Sequence, residues 1–225
     1  MKFAILSFPG SNCDEDMKYA LTDIIDAHAE IVQHYEADLQ HYDGVVIPTG
    51  ASYGDYLRPG ALALSSAAIA SLQAFAATGK PVLGVGNGFQ ILVEAGLLPG
   101  AFLRNKGLKF RSGNATVKVE NTASLFTNAY EHGQHITLPF AHEYGNYYVE
   151  ADLASTLKEN GRIAFTYADG NHDGSVEAIA GVLNEQGNVL GMMPLPERAV
   201  EVLIGGTDGL ALFQSILKNG SERHA

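Results

Sequence analysis

The sequence predicts an α/β fold built on a doubly wound, mostly parallel sheet, with an antiparallel β-rich patch in its second half. Three observations carry that prediction. Short apolar runs of strand length recur through the first half, each stops at a turn-forming cluster, and each is followed by a segment with helical spacing of its apolar residues. Alternating strand, turn and helix calls for parallel strands with helices on both faces, and it places sites at the carboxyl ends of those strands.

The elements follow in order. Residues 2–8 are a short apolar run ended by Pro9-Gly10-Ser11-Asn12, a buried strand that stops at a turn. Ser11 and Asp14 have capping-box spacing, and Met17, Ala20, Leu21, Ile24 and Ile25 recur at helical intervals, which predicts a helix to about residue 28. Strands are expected at 30–35 and at 44–48, the latter followed by a loop of functional length over 49–60. The Ala/Leu-rich stretch 61–78 reads as helix, 81–85 as another buried strand, and 89–95 as a helix ended by Gly96 and Pro99. From 101 to 149 short β-rich pieces such as 115–119, joined by Asn- and Gly-containing turns, predict the antiparallel patch. Residues 163–167, 178–183 and 189–193 are further strand candidates, and 209–218 a closing helix. No repeat, low-complexity run or linker interrupts the chain, so residues 1–225 are expected to form one domain.

Composition bounds the function. The 225 residues carry 14 Lys+Arg against 25 Asp+Glu, a net charge of -11, which makes polyphosphate backbones poor partners and argues against nucleic-acid binding. With 46% hydrophobic and 17% charged residues the chain can bury a core. No apolar run approaches the roughly 20 residues of a membrane span, and the N-terminal run turns polar too soon for a signal peptide. No membrane partner is expected, and the cytoplasm is the default compartment. The single Cys13 cannot form an internal disulfide or a Cys-rich zinc site, which suits a reducing compartment.

Few local motifs carry chemistry. The turn Gly84-Val85-Gly86-Asn87-Gly88-Phe89-Gln90 would aim backbone N–H groups and a positive helix end at one point, where an oxyanion or phosphate could rest. It fails as a dinucleotide fingerprint because the third glycine position is Ile91. As a nucleophile elbow it would present Gly86, which has no side chain. The loop 169–174 begins like a calcium-binding loop, but its twelfth position is Ala180, so a polar turn between strands is the better reading. His132 and His135 have ligand spacing without a third ligand. Cys13, at a helix N-terminus that would lower its pKa, is a candidate nucleophile but reads better as a small buried residue. Met192 and Met193 read as core.

Several segments together resemble the small glutaminase subunit of formylglycinamide ribonucleotide amidotransferase (phosphoribosylformylglycinamidine synthase), the PurQ type of class I glutamine amidotransferase. They are Phe8-Pro9-Gly10-Ser11-Asn12-Cys13-Asp14, Ser52-Tyr53-Gly54-Asp55-Tyr56-Leu57-Arg58, Pro81-Val82-Leu83-Gly84-Val85 and Asn87-Gly88-Phe89-Gln90-Ile91-Leu92. Further on are Leu97-Leu98-Pro99-Gly100-Ala101, Arg104-Asn105-Lys106, Gly191-Met192-Met193-Pro194, Pro196-Glu197-Arg198-Ala199 and Asp208-Gly209. The resemblance spans nearly the whole chain. It implies the flavodoxin-like sandwich of that family, hydrolysis of glutamine to glutamate and ammonia, and delivery of the ammonia to a PurL-type synthetase subunit, in many bacteria with a small third subunit. No cofactor and no metal is expected.

The family's chemistry needs a Cys-His-Glu triad. Its nucleophile falls on Gly86 and its His on Leu195, so Glu197 is the one retained catalytic position, with Gly50, Asn87 and Gln90 as expected binding positions. Thr49 stands where the oxyanion loop carries glycine, which is expected to alter the backbone that presents N–H donors. Pro59 replaces a cysteine, and His142-Glu143-Tyr144-Gly145 departs from the family's His-Gly-Glu-Gly. The leading expectation is therefore a PurQ-like subunit deficient in glutamine hydrolysis, acting as a non-catalytic partner or with another nitrogen donor. Two alternatives stand beside it: an active hydrolase with a relocated nucleophile at Cys13, Ser52 or Thr49 and His142 as base, or a module holding a small anion at the emptied elbow. Gly86→Cys alone is expected to stay inactive, and Gly86→Cys with Leu195→His is the expected route back to slow hydrolysis.

Overall fold

The computed structural model describes residues 1–36 and 38–223. The chain runs through β1 (Lys2–Ser7), α1 (Asp14–Tyr19), β2 (His28–Gln33), β3 (Gly44–Ile47), α2 (Ala67–Ala77), β4 (Val82–Val85) and α3 (Asn87–Glu94). The second half adds β5 (Ala101–Leu103), β6 (Arg111–Val119), β7 (His135–His142), β8 (Asn146–Tyr148), α4 (Ala151–Glu159), β9 (Ile163–Tyr167), β10 (Ile179–Leu183), β11 (Val189–Met192) and α5 (Leu210–Arg223).

A nine-stranded sheet in the order β2-β1-β3-β4-β11-β10-β9-β6-β7 forms the centre. Strands β2, β1, β3, β4 and β11 are parallel neighbours, and from β11 through β10, β9 and β6 to β7 every pairing is antiparallel. The two halves meet at β11, which joins β4 in parallel and β10 in antiparallel fashion.

Alternation along the strands builds two cores. Phe3, Ile5, Val46, Leu83 and Val85 pack with Met17 of α1, Leu21 of the turn that follows it, and Leu212, Phe213 and Ile216 of α5. Their chain neighbours Ala4, Leu6, Val45, Ile47 and Val82 point the other way, to Leu72 and Phe75 of α2, Phe89 and Leu92 of α3, and Leu157 of α4. A period of two along a buried strand assigns successive side chains to opposite faces, so apolar runs without a polar side are what a sheet covered on both faces requires.

The structure corrects several sequence expectations. The capping box does not form: Cys13 is the N-cap of α1 without a side-chain cap bond, Ser11 Oγ accepts from the Phe8 N–H, and Asp14 accepts from the Ser7 hydroxyl. That helix widens into a π turn over Ala20–Ile24 and ends there, and His28 already belongs to β2. The stretch 61–78 is broken at Ser66, whose extended backbone separates a 3-10 turn (Ala61–Ser65) from α2. Helix α4 was not anticipated; it buries only Ala154 and Leu157, too few apolar positions to print a helical stripe. The β-rich patch is less separate than expected, since β6 and β7 extend the main sheet through β9 and only β5 and β8 form a two-stranded sheet of their own. Among the described residues no helix is long and apolar enough to cross a membrane.

Candidate active site

Four adjacent parallel strands end at one cavity. Its volume is about 290 Å³, and it is lined by Asn12 and Cys13 after β1, Thr49 and Gly50 after β3, Asn87 and Gln90 of α3 after β4, and Met193 and Leu195 after β11. The end of β7 and the turn after it, including His142, Glu143 and Tyr144, close another side. This is the carboxyl-end crevice expected of an open α/β sheet.

The elbow itself is built. Gly86 has φ 55° and ψ -111°, a left-handed backbone that glycine accepts without a Cβ penalty, and its N–H donates to the Met192 carbonyl at 2.8 Å. Gly88 lets α3 press onto β3, because a Cβ there would lie 2.0 Å from the Ile47 carbonyl oxygen. The strand-turn-helix geometry of a nucleophile elbow is therefore present around a residue with no nucleophile.

The predicted binding positions come together and are occupied by the protein itself. Asn87 Oδ1 accepts from the Ser52 N–H at 3.0 Å, and Asn87 Nδ2 donates to Gln90 Oε1 at 2.9 Å. Gln90 Nε2 in turn donates to the Tyr144 carbonyl at 2.7 Å, which ties α3 to the turn after β7. Gly50 bridges to Ser11, and a Cβ on it would lie 2.5 Å from the Gly10 carbonyl oxygen, so glycine there brings the loops after β1 and β3 together. Backbone strain concentrates in the second loop, where Tyr53, Asp55 and Leu57 all have positive φ. Burial, reinforced by Glu143, pushes the Asp55 carboxyl up to about 6.

Around the positions to which the resemblance assigns base and carboxylate, Leu195 and Glu197, no imidazole is in place. Leu195 is 1% exposed. Glu197 is also 1% exposed, neither carboxylate oxygen has a hydrogen-bond partner, and burial pushes it up to about 8, so it is protonated at neutral pH. With an apolar side chain at 195, Glu197 has nothing to orient.

None of the four groups expected for a relocated mechanism, Cys13, Ser52, Thr49 and His142, is poised for it. The expected lowering of the Cys13 pKa at a helix N-terminus is overturned: burial, with Glu197 adding to it, pushes the thiol up to about 12 despite the nearby Arg198. Desolvation outweighs the weak field of a six-residue helix. His142 pairs through Nδ1 with Asn105 Oδ1 at 3.1 Å, and its Nε2 lies 3.7 Å from Asp173 Oδ2. Burial lowers its pKa, and both ring nitrogens face protein groups. Ser52 is buried outside the cavity lining. Thr49 lines the cavity, but its hydroxyl accepts the Asn87 N–H at 3.2 Å. That bond also occupies the first helical amide a small anion would use.

Among the described residues no group of three or more His, Cys, Asp and Glu side chains is placed to hold a metal ion. The loop 169–174 is a self-bonded polar turn: Asp169 accepts from the Thr116 N–H, and the Asn171 side chain bonds to Gly174 and Ser175. Two clusters escaped sequence reading. Asn105 holds His142, Lys109 and Gly145 at once, and Arg198 reaches both Cys13 and Asp16. Their members lie 37 and 185 positions apart, so no local spacing could reveal them.

An elbow after a central parallel strand, beside a carboxyl-end cavity flanked by the loop after β3, is the arrangement of an α/β glutamine amidotransferase domain of class I. Residues 1–205 match the family described as the CobB/CobQ-like glutamine amidotransferase domain, and the chain belongs to that family. Within it the chain is of the PurQ type of glutaminase subunit, related to phosphoribosylformylglycinamidine synthase. It is 44% identical to a chain in the structure of PurLQS from Thermotoga maritima, with a TM-score of 0.90 over 97% of this chain and 98% of that one. It also shares its fold with a glutamine amidotransferase of Thermotoga maritima, at 15% identity and a TM-score of 0.64 over 99% and 98% of the two chains.

Proposed function

We propose that this chain is a PurQ-type subunit that no longer hydrolyses glutamine and serves as a non-catalytic partner of a PurL-type synthetase subunit. One observation carries the reading. Glycine stands at the nucleophile position beside the cavity, leucine lines it at the base position, and at the third position is a protonated, unpartnered carboxyl buried outside its lining. Without a thiolate no acyl-enzyme forms, and without an imidazole no proton reaches the leaving ammonia.

The partner is read from the relative in the PurLQS structure of Thermotoga maritima; a small third subunit belongs to the same proposal. Nitrogen then reaches the synthetase from another donor, such as free ammonia. The test is glutamate release from glutamine by the purified protein, alone and mixed with a PurL-type subunit, formylglycinamide ribonucleotide and ATP. Background release in both mixtures, together with co-elution of the two proteins, is the expected result. Glutamate production that depends on this chain would overturn it.

A further inference from the structure

We infer that Thr49 is a plug in the elbow, and that positions 49 and 86 form one coupled pair. Its side chain fills the volume that any side chain at position 86 would need, and its hydroxyl takes the amide that would face an oxyanion. The inference rests on the non-catalytic reading above and adds a physical cause to it.

The obstruction comes from one residue. A Cβ built on Gly86 would lie 2.1 Å from Thr49 Oγ1 and 2.7 Å from Thr49 Cβ, both far inside contact distance. The next neighbour, Leu195 Cδ2 at 3.7 Å, is in ordinary contact, and no backbone atom intrudes. Rotation of the buried Thr49 side chain would move Oγ1 but not Cβ, and the backbone that carries Cβ is tied by the Thr49 carbonyl, which accepts the Asn12 N–H at 3.2 Å.

The same hydroxyl accepts the Asn87 N–H at 3.2 Å, and Asn87 is the residue immediately after the elbow. In an elbow that amide is one of the donors aimed at the developing oxyanion. Thr49 thus acts through its side chain rather than through the altered backbone that the sequence suggested. Glycine at 86 fits beside threonine at 49, and threonine at 49 is tolerated because 86 has no Cβ. On this inference the two-residue restoration by Gly86→Cys and Leu195→His would leave the new thiol colliding with Thr49 and the oxyanion donor taken.

A double-mutant cycle on the full chain tests this. Gly86→Cys is made with Thr49 retained and with Thr49→Gly, and thermal midpoints are compared. With Thr49 retained, the midpoint should fall by about 5 °C, the scale of overpacking a buried site in a chain of this size. With glycine at 49 the same change should cost less than about half as much. Strain from the positive φ of residue 86 enters both arms and cancels.

Thr49→Ala should give an intermediate result, since it removes the 2.1 Å contact and keeps the one at 2.7 Å. Gly86→Ala, which adds the Cβ alone, replaces Gly86→Cys in the cycle if the cysteine variant does not fold. Thr49→Val, which keeps shape and loses the hydroxyl, should speed hydrogen exchange of the Asn87 amide about tenfold. Equal cost of the position-86 change in both backgrounds would overturn the plug and leave the non-catalytic reading untouched. Glutamate release by the unaltered chain would overturn that reading while leaving the cycle's coupling intact.

Discussion

The Arg198 guanidinium lies 2.9 Å from the Cys13 sulfur and 2.9 Å from Asp16 Oδ2, so the one thiol of this chain touches a cation yet stays protonated. A neighbouring positive charge favours a thiolate, but burial disfavours it more strongly, and the adjacent Glu197 and Asp16 act in the same sense as burial.

Cys13 is therefore expected to be inert. In the native protein at pH 8, labelling by iodoacetamide should remain far below one equivalent, and in denaturant it should reach one. Fast labelling of the native chain would show a thiolate and would reopen Cys13 as a nucleophile.

Glu197 should make stability fall as pH rises. Its carboxyl titrates near 8 in the fold against an ordinary 4.5, so between those values the folded chain holds a proton that the unfolded chain has released. The contribution is fully present below about pH 4.5 and is lost as pH rises through about 8. Glu197→Met, which removes two unpartnered buried oxygens, should raise stability at neutral pH by about 1–3 kcal/mol and flatten that slope. Urea unfolding of both proteins between pH 5 and 9 measures it, and an unchanged slope in the variant would assign it to other groups.

Catalytic restoration should need three substitutions. Gly86→Cys with Leu195→His should give glutamate release no higher than the parent chain, whereas adding Thr49→Gly should raise it about tenfold or more by freeing one oxyanion donor. Glutamate measured with saturating glutamine compares the variants, and full activity of the two-residue variant would show that Thr49 does not obstruct.

Asn105 should be a stability hot spot. It is fully buried, its Nδ2 donates to the Lys109 and His142 carbonyls, and its Oδ1 receives the Gly145 N–H and faces His142 Nδ1. Asn105→Ala leaves those groups unpaired and should cost about 2–4 kcal/mol, a drop of roughly 5–10 °C in midpoint. Thermal unfolding checks it, and a shift within about 1 °C would show that water replaces the amide without loss.

Strands of the parallel half were legible because each is a short unbroken apolar run, which only a strand covered on both faces needs. Helix ends were less so, since Ser11 and Asp14 have capping chemistry in sequence but spend it on other bonds in the fold, and Ser66 is the N-cap of α2 inside a stretch that reads as one helix. The residues at the positions expected for nucleophile and base, Gly86 and Leu195, were legible because the flanking segments keep the spacing on which the resemblance rests. The fate of Thr49, Cys13 and His142 was not, because each depends on atoms brought in from another strand.

The amino-acid sequence by itself determined the α/β architecture, the PurQ-type relationship and the residue types at the positions expected for the triad, because periodicity and residue type are local properties. The tertiary structure decided what those groups can do. Protonation of Glu197 and Cys13 follows from how much water the packed chain excludes, and the filling of the elbow follows from β3 and β4 lying side by side with Thr49 and Gly86 at their ends. Desolvation and steric exclusion depend on distances between segments, and those exist only once the sheet has formed.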